Sequence, residues 1–196
     1  MIYTKNYPAP EVNVKEALRY AGGGDVALIY ECIKEAEEKF SYKVCYAIVD
    51  ISLCGDSVDL GFASTVSKNL AKNLAGCTQA VVFAATVGTE IDRLIGKYNL
   101  LSPSKAVCLQ ALGSERVESL CDSFEDSIKE EISETNGEMH FRPRFSPGYG
   151  DLSLEFQKEI FRLLDCPRRI GVSLGESLLM SPSKSVTAII GFGEKK

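Results

Sequence analysis

The sequence predicts an α+β fold: one domain in which mixed helices surround a twisted, mainly antiparallel sheet. Three observations carry this. Helix-period and strand-like segments follow one another without strict βαβ alternation, which disfavours a doubly wound parallel sheet. The 196 residues suffice for one core of normal size, and with no convincing internal boundary the domain spans 1–196. Hydrophobic residues make up 45% and charged residues 25% of the chain, the balance of a soluble globular protein.

Taken in order, an extended start with Pro8 and Pro10 leads into "EVNVKEALRY", a short helix stopped at Gly22-Gly23-Gly24. Asp25 opens a second helix, with Ala27, Tyr30, Ile33 and Ala36 at helical spacing. The glycine triplet lacks G-x-G-x-x-G spacing and a preceding strand, so it is a breaker and not a phosphate loop. "YKVCYAIVDI" predicts a buried strand and "SVDLGF" a second. "TVSKNLAKNLAG" predicts a helix closed by Gly76, and "QAVVFAATVG" is a continuous apolar run of the fully buried kind.

"TEIDRLIGKYNL" returns to helical spacing through Ile91, Leu94 and Ile95. The longest helix follows, with Ser102 at the N-cap, Pro103 in the first turn, and an inner stripe of Ala106, Leu109, Leu112 (or Gly113), Val117, Leu120, Phe124 and Ile128. "EMHFRPRFS" is extended. "SLEFQKEIFRLLD" is an amphipathic helix with Phe156, Ile160 and Leu163 on one side, and the tail forms two strands around a turn at Pro182.

Charge and composition exclude several function classes. A formal net charge of −5 lacks the positive field that nucleic acid or anionic membrane binding uses. Lys5, Glu11, Lys15 and Glu16 interrupt the first twenty residues, which argues against a signal peptide or N-terminal anchor, and no apolar run approaches the roughly 20 residues of a spanning helix. A cytoplasmic protein is expected. Its seven cysteines include no C-x-x-C pair and read as buried, reduced thiols, and with His140 as the single histidine no metal site is expected.

Catalytic motifs fail on their missing partners. "GVSLG" matches the nucleophile elbow around Ser173, but no histidine follows it. "SPSK" occurs at Ser102–Lys105 and Ser181–Lys184 without the companion elements of serine acyl enzymes, so a helix cap and a turn explain the copies. Glu118, Asp122 and Glu125 share one helix face at i, i+4, i+7, by default a solvated face and otherwise a place for one carboxylate to meet a cationic ligand.

The densest signal is "RFSPGYGD", Arg144 to Asp151. Arg144 offers a planar fork for a carboxylate, and Pro147 fixes the backbone. Gly148 lets a ligand approach bare main chain, and Tyr149 adds a ring face. Asp151 or Ser153 would cap the helix that follows. A turn carrying a surface arginine is the plain alternative.

The C-terminal portion resembles the activation domain of cobalamin-dependent methionine synthase. It carries, in order and at compatible spacing, the R-x-x-P-G-Y loop, a Q-x-x-(I/L)-F-x-L-L helix, an IGV-x-L-(T/G)-E-S strand and an M-x-P-x-x-S-V turn. The likeness is clearest over 80–193, where "ATVGTEIDRLI" and "LGSERVESLCDSF" share it, and it points to a stand-alone form of that domain. The resemblance implies S-adenosylmethionine binding, with the methyl group presented to cobalt after a low-potential electron donor, a flavodoxin or ferredoxin, reduces inactive cob(II)alamin. The cobalamin would be carried by a corrinoid-binding methionine synthase partner, and no residue here need be catalytic. By position, the binding residues are Arg144, Ser146, Pro147, Gly148 and Tyr149, with Asp122 as the helix carboxylate and Glu118 one turn away. Gly150-Asp151 stands where fused domains often continue with Pro-Ala-Cys-Pro, Ile190 stands where they place a ligand-contacting tyrosine, and the chain stops soon after Gly193. The alternative is a corrinoid-protein interaction module that has lost S-adenosylmethionine binding.

Overall fold

A computed structural model of the chain describes residues 1–23 and 25–195. Gly24, the third glycine of the breaker, and Lys196, the last residue of the predicted domain, lie outside the described residues. The strands are β1 (Ile2–Asn6), β2 (Lys43–Asp50), β3 (Ser52–Cys54), β4 (Ser57–Asp59), β5 (Ser64–Val66), β6 (Gln79–Thr86), β7 (Met139–Phe141), β8 (Ser173–Leu174), β9 (Met180–Ser181) and β10 (Ser185–Glu194). The helices are α1 (Val14–Tyr20), α2 (Val26–Ala36), α3 (Lys68–Asn73), α4 (Glu90–Leu101), α5 (Pro103–Asn136), α6 (Gln157–Leu164) and α7 (Cys166–Ile170).

The central sheet has the order β1-β2-β6-β10-β7, and every neighbouring pair is antiparallel. The expected antiparallel α+β architecture is what the chain adopts. Both faces of this sheet are covered. Val81, Phe83 and Ala85 of β6 pack with Ile190 and Phe192 of β10 beneath α1, α2, α4 and α5. Ala80, Val82 and Ala84 face the other way, into a second core with α3, α6, α7 and the small β3-β4-β5 sheet. Burial on both sides is why β6 reads as an unbroken apolar run although its neighbours are antiparallel.

α5 forms as its stripe predicts: Ala106, Leu109, Leu112, Gly113, Val117, Leu120, Phe124 and Ile128 are all buried. Phe124 fixes its rotation, its ring lying 4.8 Å from Phe83, 5.3 Å from Tyr46 and 6.3 Å from Tyr7. Each such buried aromatic contributes roughly 1.5–3 kcal/mol relative to exposure. Ser102 occupies the N-cap position, but its side chain caps nothing and instead lies 3.5 Å from Ser104 Oγ.

Three local readings need correction. In α2 the inner residues are Ile29, Cys32 and Ala36, while Ala27 and Tyr30 face solvent, so the stripe is displaced around the helix. In α6 Leu164 is buried and Leu163 only partly so. The helix expected from "TVSKNLAKNLAG" starts only at Lys68, with Ser67 as its N-cap, because Thr65 and Val66 belong to β5. Among the described residues no helix is long and apolar enough to cross a membrane.

Candidate functional site

Residues 142–149 run along the open side of β10. Arg142 N–H donates to Gly191 O at 2.8 Å, and Phe145 and Ile189 exchange two backbone hydrogen bonds of 2.9 Å. Phe145 is buried in the second core, which anchors the segment. The two flanking arginines diverge. Arg144 reaches α5, and Arg142 turns toward the end of α3, where Nη2 donates to Ala75 O at 2.5 Å.

Ser146 to Tyr149 close a β-turn. Tyr149 N–H donates to Ser146 O at 3.1 Å, with Pro147 and Gly148 as the central residues. Gly148 has φ +86°, the left-handed value the third position of a type II turn requires, and a Cβ there would meet Leu154 Cδ1 at 3.1 Å. Its N–H donates to Leu152 O at 2.9 Å and is therefore engaged within the loop. Tyr149 is 69% exposed, its ring edge-on to Phe145 at 5.4 Å.

The capping expectation splits. Ser153 Oγ accepts from Glu155 N–H at 3.2 Å and caps the 3-10 turn that precedes α6. Asp151 caps a different helix, α3. It accepts from Ser67 Oγ at 2.5 Å, Lys68 N–H at 2.8 Å and Asn69 N–H at 3.1 Å. Those bonds, Ser67 first, hold its carboxyl below the ordinary value. The "GD" that ends the loop thus ties the loop to α3.

The structure brings Arg144 and the helix carboxylates into direct contact. Arg144 Nη1 lies 2.7 Å from Asp122 Oδ1 and 3.2 Å from Glu125 Oε2, and Nη2 lies 3.3 Å from Glu118 Oε2. Three carboxylates share one guanidinium, which leaves a local surplus of negative charge. Burial pushes the half-buried Glu118 carboxyl up, Asp122 adds to this, and Arg144 opposes it. Glu118 makes the longest of the three contacts.

This ion-pair cluster separates two concavities of opposite charge. Between α1 and α5 lies a cavity of about 200 Å³, lined by Asn13, Glu16, Tyr20, Glu118, Ser119 and Asp122, with Glu115 at its wall and no cation. On the α3 side, a groove of about 460 Å³ is lined by Asn69, Lys72, Asn73, Arg142, Arg144 and Tyr149, among others, and by no carboxylate.

The first cavity's α1 wall is locked by a buried ion pair. Arg116 and Glu115 side chains are each 2% exposed. Arg116 donates to Pro10 O at 2.6 Å and Glu11 O at 2.7 Å, and Glu115 accepts from Asn13 N–H at 2.9 Å. The clamp fastens the segment leading into α1 onto α5.

Of the residues singled out from sequence, Arg144, Glu118 and Asp122 meet. Ser146, Pro147 and Gly148 shape the turn, and Tyr149 lines the groove. Ile190 is fully buried in the helix-side core, a packing position and not an exposed wall. Ser173 Oγ donates to Ser181 O at 3.4 Å, and His140 lies against Glu194 O at 3.1 Å and Cys77 Sγ at 3.8 Å. Sequence reasoning missed Asn13, Glu16 and Tyr20, and it missed Arg142 with its neighbours on α3. The one local hint was the doubled arginine of "FRPRF".

Comparison with known proteins bears on the family and the fold. The sequence model described as "Vitamin B12 dependent methionine synthase, activation domain" matches residues 68–196. Among solved structures, the MetH reactivation domain bound to AdoHcy superposes with a TM-score of 0.69 at 14% identity, covering 97% of this chain and 78% of that one. No curated protein matches the chain by sequence.

Proposed function

The chain belongs to the activation-domain family of vitamin B12 dependent methionine synthase, and on that premise we propose that it is a stand-alone reactivation subunit that binds S-adenosylmethionine and presents its methyl group to the corrinoid of a partner protein. The observation that carries the reading is the acidic cavity whose lining carboxylates Glu118 and Asp122 also hold Arg144. S-adenosylmethionine has one carboxylate and two cationic centres, the ammonium and the sulfonium. A guanidinium beside an excess of carboxylates is complementary to that pattern. The ligand carboxylate takes the place of Glu118, the longest contact on Arg144, and the released Glu118 faces the ligand's positive end.

Size supports partial enclosure. About 200 Å³ lies below the roughly 300–1,000 Å³ of pockets that bury a whole drug-sized ligand. The methionyl end fills the cavity and the rest stays open to a partner. When bound, S-adenosylmethionine would supply a methyl cation to the partner's cobalt once a low-potential donor has reduced that cobalt, and would leave as S-adenosylhomocysteine. This chain's residues bind, orient and leave the methyl accessible, and none acts as acid, base or nucleophile.

Calorimetry with S-adenosylmethionine, alone and with the partner's corrinoid module, tests the reading. Heat in either setting supports it, and none in both sinks the methyl-donor role. Because Arg144 is already ion-paired, the runner-up is an interaction module without the ligand. It predicts capture of a corrinoid protein with no dependence on S-adenosylmethionine.

A further inference from the structure

We propose that Cys77 is a reactive thiol that exchanges with small anionic disulfides, with His140 as the base that takes its proton. The proposal is independent of the methyl-donor reading, since neither residue lines the acidic cavity.

The edge of the central sheet brings the two side chains together. His140 lies in β7, paired with Gly193 of β10, and Cys77 follows shortly after Asn73, the end of α3. Cys77 Sγ lies 3.8 Å from His140 Nε2, and His140 Nδ1 lies 3.1 Å from Glu194 O. A carbonyl oxygen can only accept, so Nδ1 carries the ring proton and Nε2 keeps its lone pair. The Cys77 S–H therefore donates to Nε2, the arrangement of a nucleophile whose base is oriented by a third group. Two glycines of β10 make the room. A Cβ on Gly191 would stand 2.9 Å from Cys77 Sγ, and one on Gly193 would stand 3.2 Å from His140 Cε1.

Cys77 is 8% exposed, the most of the buried cysteines, whereas Cys32, Cys45, Cys121 and Cys166 show no surface. Arg142 joins the thiol to the groove on the α3 side. It lines that groove, its Nη2 donates to Ala75 O at 2.5 Å, and a Cβ on Gly76 would stand 3.9 Å from both Arg142 Nη2 and His140 Nε2. Burial pushes the Cys77 thiol up and Arg142 opposes this, so the resting group is a thiol that needs its base to react. Lys72, Arg142 and Arg144 line the groove and no carboxylate does, which favours a disulfide carrying anionic groups. In the exchange, the proton passes from Sγ to His140 Nε2 and the thiolate attacks one sulfur of the disulfide. The S–S bond of the reagent breaks as its bond to Sγ forms, and the departing thiolate takes the proton from His140. Excess thiol runs the same steps backwards.

The intact chain is incubated with oxidised glutathione near neutral pH, and the modified cysteines are located and timed by peptide mass mapping. Exposed Cys54 is the internal reference. The expected result is a glutathionyl group on Cys77, taken up faster than on Cys54 and removed by dithiothreitol. His140→Gln should slow the reaction of Cys77 about a hundredfold, within the range of a positioned base, and leave Cys54 unchanged. If His140→Gln does not fold, Arg142→Gln should slow Cys77 severalfold toward oxidised glutathione and less toward the uncharged 2-hydroxyethyl disulfide; an equal loss with both reagents then overturns the proposal. It is also overturned if Cys77 reacts no faster than Cys54, or only together with Cys32, Cys45, Cys121 and Cys166, as global unfolding would produce. A folded His140→Gln that reacts at the wild-type rate overturns it as well.

Discussion

Replacing Arg116 by methionine should cost about 3–5 kcal/mol of folding stability, the range for removing one partner of a buried ion pair. Both side chains are 2% exposed, with Arg116 Nε 2.5 Å from Glu115 Oε2. Methionine fills most of the space, so the loss is electrostatic more than a matter of volume. Glu115 would keep only Asn13 N–H, at 2.9 Å, and Ser119 Oγ, at 2.7 Å, as donors to a buried charge. The carbonyls of Pro10 and Glu11 would lose a charged donor as well. Against the 5–15 kcal/mol that holds a typical domain together, this is a large fraction. With a urea m-value in the upper part of the usual range, the midpoint should fall by roughly 1–2 M. The double variant Glu115→Met/Arg116→Met should be more stable than Arg116→Met, since it leaves no unpaired charge. A loss below about 1 kcal/mol for the single variant, or a double variant as unstable as the two singles summed, would refute the clamp.

Arg144→Ala should weaken S-adenosylmethionine binding by about 1.5–3 kcal/mol, roughly 10- to 150-fold by calorimetry, as expected for hydrogen bonds to a charged group; unchanged affinity would remove the carboxylate role. Binding should also weaken as pH falls. Burial holds the Glu118 carboxyl above its ordinary value, and a cationic ligand prefers the ionised form, so protonation competes with binding from a higher pH than usual. Glu118→Gln should flatten that pH profile, and a wild-type affinity that does not fall as the pH is lowered into the carboxylate range contradicts it. Asp151→Asn should lower Tm, because an amide side chain cannot take all three donors at the start of α3. The depressed Asp151 pKa makes this contribution present above the unfolded value and lost as acid protonates the folded carboxylate. A gap between wild-type and variant Tm that does not narrow as the pH falls below the ordinary aspartate range would contradict the assignment.

Legibility in the sequence followed the reach of the interactions. β2, β6 and α5 were readable because a two-sided sheet and a long inner helix impose their pattern locally. The α2 stripe was misjudged because Tyr30 and Val26 are apolar yet exposed, at 57% and 47%, and a period alone does not say which face meets α5. β1 was read only as extended, since its partner β2 lies nearly forty residues on and its own five residues alternate weakly. α7, five residues after a left-handed Asp165, is too short to show a period. In the site, Arg144 stood out as a charge beside a turn, and Asp122 and Glu118 came through likeness to the family. That these three bind one another was not legible, because it depends on the rotation of α5 set by Phe124. Of the two candidate caps, Ser153 serves the helix that follows, and Asp151 serves α3 for a similar reason, its partners lying 82 to 84 residues away. The contact of Arg142 with the end of α3 has no sequence signature, since only the fold sets Ala75 beside residue 142.

Methyl-labelled S-adenosylmethionine, a low-potential reductant and a corrinoid methionine synthase without an activation domain of its own test the central claim most directly. The label should appear on the corrinoid protein when this chain is added, and fall away with the Arg144→Ala variant. Label transfer that proceeds equally without the chain, or never with it, would contradict a reactivation subunit.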